Sequence, residues 1–235
     1  APPMPLANTK IRLFFDSLPF SLTGAQQRVI KEIFSDMERP IPMLRLVQGD
    51  VGSGKTVVAA AAIYLAVRNG CQAVMMAPTE ILAEQHCKTL TAMLSPFGIN
   101  VALLAGKLTA AQKRSAKAGL ESGGIQVAVG TSALIQGDVV FNRLGLAVTD
   151  EQHRFGVLQR ADLISKAQNG SPHTLVMSAT PIPRTLSLIL YGDLDISVID
   201  ELPPGRKPIE TFALDETYRP RVNRFIEKEI SSGGR

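Results

Sequence analysis

Gly49-Asp50-Val51-Gly52-Ser53-Gly54-Lys55-Thr56 stands between a short apolar stretch, residues 44–47, and an alanine-rich apolar run, residues 57–67. The eight residues fit G-x-x-x-x-G-K-[ST]. Glycines at 49, 52 and 54 let the backbone turn tightly enough for its N–H groups to converge on phosphate oxygens. Ser53 sits within that turn, Lys55 adds a cation where negative charge is densest, and Thr56 offers a hydroxyl to Mg²⁺. A strand before the loop and a buried helix after it place the positive end of the helix dipole against the phosphates. A chance glycine-rich turn is the competing reading of the eight residues alone. The flanking pattern predicts a bound nucleoside triphosphate.

Working outward, apolar runs recur at residues 44–47, 73–77, 101–105, 127–129, 146–148, 175–177 and 196–199. Segments with helical spacing, such as 81–93 and 110–120, separate most of them. Strand alternating with helix predicts an α/β fold, a parallel sheet with helices on both faces. No internal repeat or low-complexity tract interrupts the pattern.

The chain has 235 residues, 45% hydrophobic and 20% charged, enough for one large domain or one domain and part of another. The longest apolar run, 57–67, is too short to cross a bilayer. Prolines 2, 3, 5 and 19 break up the first residues, so no signal peptide is expected. Residues 1–150 hold 14 Lys+Arg against 10 Asp+Glu, whereas residues 151–235 hold 11 of each, so the net charge of +4 lies wholly in the first part. That excess suits nucleic acid as well as an ordinary solvated face. Cys71 and Cys87 lack metal-ligand spacing and are expected as reduced thiols of a cytoplasmic protein.

Three segments are expected. Residues 1–17 read as a proline-rich linker from an upstream domain, residues 18–204 as the nucleotide-binding domain, and residues 205–235 as a hinge and the start of a further domain. The turn-rich string Leu202-Pro203-Pro204-Gly205-Arg206-Lys207-Pro208 marks the second boundary. Residues 209–214 beyond it resemble an opening strand, and residues 218–230 a helix.

A second chemical element is Leu146-Ala147-Val148-Thr149-Asp150-Glu151, an apolar strand ending in adjacent acids. Asp150 at the strand end suits Mg²⁺ through its water shell. Glu151 suits the orientation or deprotonation of the water that attacks the γ-phosphate. Taken alone, the pair also reads as a solvated loop start.

Asp150-Glu151-Gln152-His153 together with Ser178-Ala179-Thr180 resembles the superfamily-two helicases, in which two RecA-like domains clamp ATP and move along nucleic acid. The longer runs Asp150-Glu151-Gln152-His153-Arg154-Phe155-Gly156-Val157, Ser178-Ala179-Thr180-Pro181-Ile182-Pro183-Arg184-Thr185 and Glu201-Leu202-Pro203-Pro204-Gly205-Arg206 are similar to the RecG family of bacterial DNA helicases. The resemblance runs from about residue 18 to near the end of the chain. Transcription-repair coupling translocases share much of the same core and stand as an alternative. So does a non-catalytic nucleotide switch or DNA scaffold.

The resemblance implies further roles. Leu22-Thr23-Gly24-Ala25-Gln26 matches the motif whose glutamine reads adenine with one donor and one acceptor. Without that context Gln26 reads as an exposed helix residue. Pro78 and Thr79, and Thr131 and Ser132, fall in motifs that contact nucleic acid, each read as a strand end, a capping hydroxyl and a helix start. Ser132 stands where the family typically has histidine, so it stays a candidate contact but the reach of the larger side chain is not carried over. Gly106 and Lys107 are a further candidate phosphate contact or a solvated loop. Gln152, His153, Ser178 and Thr180 would couple the γ-phosphate to the DNA groove, and Arg184 would approach DNA or the second domain. The resemblance implies a RecA-like P-loop NTPase domain using ATP and Mg²⁺. Its implied partners are branched duplex DNA such as forks and junctions, a second RecA-like domain carrying an arginine finger, and an upstream branch-binding domain.

Overall fold

The computed structural model describes residues 1–7, 9–150, 170–180, 194–201 and 211–233. The chain divides into two compact units, Ala1–Pro204 and Gly205–Arg235.

All seven expected strands form in the first unit: β1 Leu44–Gly49, β2 Gln72–Met76, β3 Val101–Leu104, β4 Val127–Gly130, β5 Leu144–Asp150, β6 His173–Ser178 and β7 Asp195–Ile199. They make one sheet in the order β3-β4-β2-β5-β6-β1-β7, parallel at every pairing. Burial explains why the runs read as continuous rather than alternating. Every residue of β2, β4, β5 and β6 is buried, whereas the edge strand β7 alternates exposed and buried positions. The backbone bonds of such a sheet are internal, so apolar side chains on both faces cost nothing in unsatisfied polar groups.

Among the described residues the helices before and between the strands are α1 Ile11–Asp16, α2 Gly24–Met37, α3 Lys55–Arg68, α4 Glu80–Leu94 and α5 Ala110–Glu121. Val57 through Ala66 are all buried in α3, so this helix is apolar all round and packs against α1, α2, α4, β1, β2 and β5. Its four consecutive alanines let backbones approach closely where larger side chains would overfill the interior. Thr23 and Thr109 start α2 and α5 with capping boxes, in which the threonine accepts from the backbone of Gln26 or Gln112 and that glutamine accepts from the threonine N–H.

Residues 1–17, expected as a linker, are packed instead. Met4 and Phe14 are fully buried, and the Met4 N–H donates to the Met37 carbonyl at 2.7 Å. Phe14, Tyr64 and Phe97 form an aromatic cluster with centroids 5.1 Å apart from Phe14 to Tyr64 and from Tyr64 to Phe97. The prolines were the misleading signal. They prevent a long helix but leave an extended chain free to lay Met4 against the core.

In the second unit, Asp215 caps a 3₁₀ turn, Glu216–Tyr218, which leads into α6, Arg219–Ser231. Its apolar stripe includes Phe225, Ile226 and Ile230, all exposed. Residues 211–214, expected within a strand, are not in one. A strand needs a neighbour for its backbone groups, and among the described residues this segment has none.

Candidate functional site

Parallel α/β sheets collect ligands at the carboxyl ends of their strands, and the register shows what is gathered there. Val47 of β1 lies beside Met177 of β6, which lies beside Asp150 of β5. Asp150 therefore stands level with the base of the phosphate loop, two strand spacings away, about 10 Å. Ser178 ends the strand between them.

The loop has the geometry its glycines predict. Gly54 has φ 86°, and a Cβ there would lie 2.3 Å from Gln26 Nε2, so both its conformation and its neighbour require glycine. At Gly49 a Cβ would meet Ser53 Oγ at 2.5 Å. Ser53 is fully buried, and its hydroxyl has no hydrogen-bond partner among the described residues. Lys55 Nζ donates to the carbonyls of Gly49 at 2.6 Å and Asp50 at 3.0 Å. The lysine thus sits at the loop, its ammonium held by neutral carbonyl oxygens that carry less negative charge than phosphate oxygens do. A cradle that a Cβ would fill, an ammonium within it and an orphaned hydroxyl fit a polyphosphate.

Gln26 is buried rather than exposed, at 3% accessibility. Its Nε2 donates to the Ser53 carbonyl at 2.8 Å, and its Oε1 accepts from Thr23 N–H at 3.0 Å. The amide therefore ties the phosphate loop to the start of α2. One N–H and one lone pair remain for a base, because an amide has two of each. A cleft of about 580 Å³ opens beside it, lined by Phe20, Thr23, Gln26, Gly54, Thr56, Val57 and Met93, among others. Phe20 is 47% exposed, which leaves ring surface for a planar ligand. Sequence reasoning missed Phe20 and Met93, since neither lies in a phosphate or acid motif.

Asp150 has one side-chain partner among the described residues: His86 of α4, whose Nε2 lies 2.7 Å from Oδ2. Both side chains are largely buried, at 12% and 13% accessibility. This contact was also missed. Glu201 supplies a third unforeseen link, accepting from the Ala25 N–H at 3.1 Å at the amino end of α2. Beside it Arg28 pairs with Asp200 at 2.7 Å and donates to the Val198 carbonyl at 3.0 Å. The Arg28 hydrogen bond holds the Asp200 carboxyl below its ordinary 3.8.

The nucleic-acid candidates are placed unevenly. Thr79 caps α4 by accepting from Leu82 N–H at 3.3 Å. Thr131 makes no side-chain capping bond, and it leads into a 3₁₀ turn, Ser132–Ile135, so the expected capped helix is absent there. The Gly106 N–H donates to Glu80 Oε1 at 2.6 Å, and Lys107 pairs with Glu84. Those two groups are engaged by α4 in this state. Ser178 Oγ and Thr180 Oγ1 lie 3.1 Å apart in a local turn. Glu151, Gln152, His153 and Arg184 lie outside the described residues. Cys71 and Cys87 are free thiols, both pushed above the ordinary value by burial. Among the described residues no three His, Cys, Asp or Glu side chains converge as a metal site, and no helix is long and apolar enough to cross a membrane.

The DEAD/DEAH box helicase family model matches residues 23–189. The ATP-dependent DNA helicase RecG of Aquifex aeolicus is 52% identical over 235 residues, covering all of this chain and 30% of that protein. RecG of Escherichia coli strain K12 is 51% identical over 237 aligned positions, with 100% and 34% covered. A solved structure of RecG bound to a three-way DNA junction superposes with a TM-score of 0.85 at 46% identity, over 99% of this chain and 31% of that one. The yeast DEAD-box splicing factor Prp28 shares the fold alone, at TM-score 0.62 and 19% identity over 93% of this chain and 55% of that one. The chain spans about a third of the length of the RecG relatives it matches.

Proposed function

The chain belongs to the DEAD/DEAH box helicase family, and on that premise we propose that it is the ATP-binding motor domain of a DNA helicase that remodels branched DNA such as forks and four-way junctions. The observation that carries the reading is the alignment of the phosphate loop, Ser178 and Asp150 at the carboxyl ends of β1, β6 and β5. Similarity to RecG, one example of which was solved on a three-way DNA junction, points to the nucleic acid.

In this reading Gly49, Gly52, Ser53, Gly54 and Lys55 hold the phosphates. Lys55 exchanges the Gly49 and Asp50 carbonyls, which are neutral acceptors, for anionic phosphate oxygens that hold an ammonium more strongly. Gln26 keeps its bond to Ser53 while its remaining donor and acceptor read the base, and Phe20 flanks that base. The Thr56 hydroxyl and, through the cation's water shell, Asp150 would hold Mg²⁺, which when bound would supply positive charge over the transferring phosphoryl oxygens. A site of this kind needs only one or two carboxylates beside the phosphates, so the lack of a larger acidic cluster is no obstacle. Glu151, next after the last residue of β5, orients and deprotonates the attacking water. Ser178 and Thr180, with Gln152 and His153, pass the state of the γ-phosphate to the DNA surface near Pro78, Thr79, Thr131 and Ser132.

Hydrolysis also needs an arginine finger, which helicases of this class carry on a second RecA-like domain. We place it in the part of the complete protein beyond this chain. Lacking it, the chain alone should hydrolyse ATP slower by about 10³- to 10⁵-fold. The test is Lys55→Ala in the complete protein. It should abolish ATP-dependent junction unwinding and leave nucleotide-free DNA affinity intact, whereas normal unwinding would remove the phosphate-loop assignment.

A further inference from the structure

Helix α4 runs along the nucleotide cleft. Its residue His86 meets Asp150, and Met93, two turns later on the same face, lines the cleft beside Gln26 and Thr56. The placement follows from the sheet. Strands β2 and β5 are neighbours, with Met76 beside Thr149, so the helix leaving β2 passes next to the residue that follows Thr149. Other side chains brace α4 in place. Glu80 accepts from the Gly106 N–H, Glu84 pairs with Lys107, and Thr79 caps the first turn.

We propose that His86 is a positioning residue: its Nε2–H holds the Asp150 carboxylate in the orientation that receives the divalent cation of the ATP site. The inference rests on the reading of Asp150 as a cation ligand given above. An ionised carboxylate only accepts hydrogen bonds, so the proton of the 2.7 Å contact belongs to His86 Nε2. That bond occupies Oδ2 and leaves Oδ1 for the cation or its water. Among the described residues no other side chain orients this carboxylate. A residue so placed matters because the cation site is assembled from one fixed carboxylate, a hydroxyl and the nucleotide. Rotation of Asp150 by one staggered step would turn that carboxylate away from it. The same bond makes α4, whose first turn follows the Pro78-Thr79 nucleic-acid candidate, a direct mechanical neighbour of the ATP site.

The test uses equilibrium binding of a fluorescent ATP analogue to the complete protein, titrated with Mg²⁺ and repeated in EDTA. His86→Ala should raise the Mg²⁺ concentration at half-maximal binding by about 10- to 100-fold, the usual cost of losing an orienting partner. Its affinity in EDTA should stay within about twofold of wild type. His86→Gln, whose amide nitrogen reaches the Nε2 position, should restore the wild-type midpoint, and the shorter His86→Asn should not. The Gln and Asn pair carries the test if the alanine variant does not fold. An unchanged Mg²⁺ midpoint in His86→Ala overturns the proposal. So does an equal loss of affinity with and without Mg²⁺, which would mark His86 as packing alone, or a glutamine no better than asparagine. If wild-type binding shows no Mg²⁺ dependence, the cation role of Asp150 fails first and the inference with it.

Discussion

The Gln26 amide nitrogen lies 2.8 Å from the carbonyl oxygen of Ser53, twenty-seven residues away in the phosphate loop. A side chain expected to face a base is thus a strut between α2 and the loop that grips phosphate. The bond makes loop geometry depend on α2, and α2 is held at the same end by Glu201. Gln26, the glycine-rich loop and Glu201 thus meet at one helix terminus.

Replacing Gln26 with alanine removes both the loop strut and half of the capping box. The expected cost is about 1 to 2 kcal/mol of stability, measured by denaturant unfolding. ATP affinity should fall at least tenfold. If affinity for ATP and for GTP falls equally, Gln26 acts on the loop and not on the base.

Gly54→Ala should be worse than its size suggests. The residue is held at φ 86°, and the new methyl would fall 2.3 Å from Gln26 Nε2, so the strain of a left-handed residue adds to displacement of the strut. Together these cost about 2 kcal/mol or more, and equilibrium nucleotide binding should be lost while the far-ultraviolet circular dichroism of the protein persists.

His173 gives stability a pH dependence. It is fully buried, its Nδ1 accepts from the Met43 N–H at 3.0 Å, and its Nε2 contacts the Pro2 carbonyl at 3.1 Å. Only the neutral ring, with the proton on Nε2, satisfies both, and burial lowers its pKa below the ordinary 6.5. Between the folded value and 6.5 the unfolded chain takes up a proton that the folded one refuses. This contribution is therefore complete above pH 6.5 and lost as pH falls below it. Unfolding curves from pH 8 to 5 should show the loss, and His173→Gln should flatten that part of the profile.

Arg45 anchors β1 from behind. Its guanidinium contacts Asp36 at 2.6 Å, Glu32 at 3.3 Å and the Ser197 hydroxyl at 2.7 Å, with Arg45 and Asp36 both about nine-tenths buried. Arg45→Ala leaves the buried Asp36 carboxylate with the longer 3.7 Å contact to the exposed Arg39 in place of a buried guanidinium and should cost about 3 kcal/mol in denaturant unfolding. Arg45→Met together with Asp36→Leu should recover much of it.

The parallel sheet was legible because strands buried on both faces must be apolar throughout, and all seven runs became strands. The phosphate loop and the acid at the end of β5 were legible because their chemistry restricts residue types at fixed spacing. His86 was not, since it meets Asp150 across 64 residues of chain and nothing local to either predicts the other. Gln26 was half legible. Thr23-x-x-Gln26 carries the capping-box signature, but the bond to Ser53 depends on the crossover that brings α2 beside α3. The packing of residues 1–17 was hidden for a similar reason, because Met4 meets Met37 of α2 and Gly145 of β5 only after those elements are assembled.

If the chain is the motor domain proposed above, the complete protein couples ATP hydrolysis to branched DNA, which steady-state ATP hydrolysis by that protein at fixed salt measures. Rates are compared on junction, forked, linear duplex and single-stranded DNA, for wild type and Glu151→Gln. Junctions and forks should stimulate hydrolysis most, and on them the variant should be at least 100-fold slower. Hydrolysis indifferent to DNA, or a Glu151→Gln protein as active as wild type, would contradict that proposal.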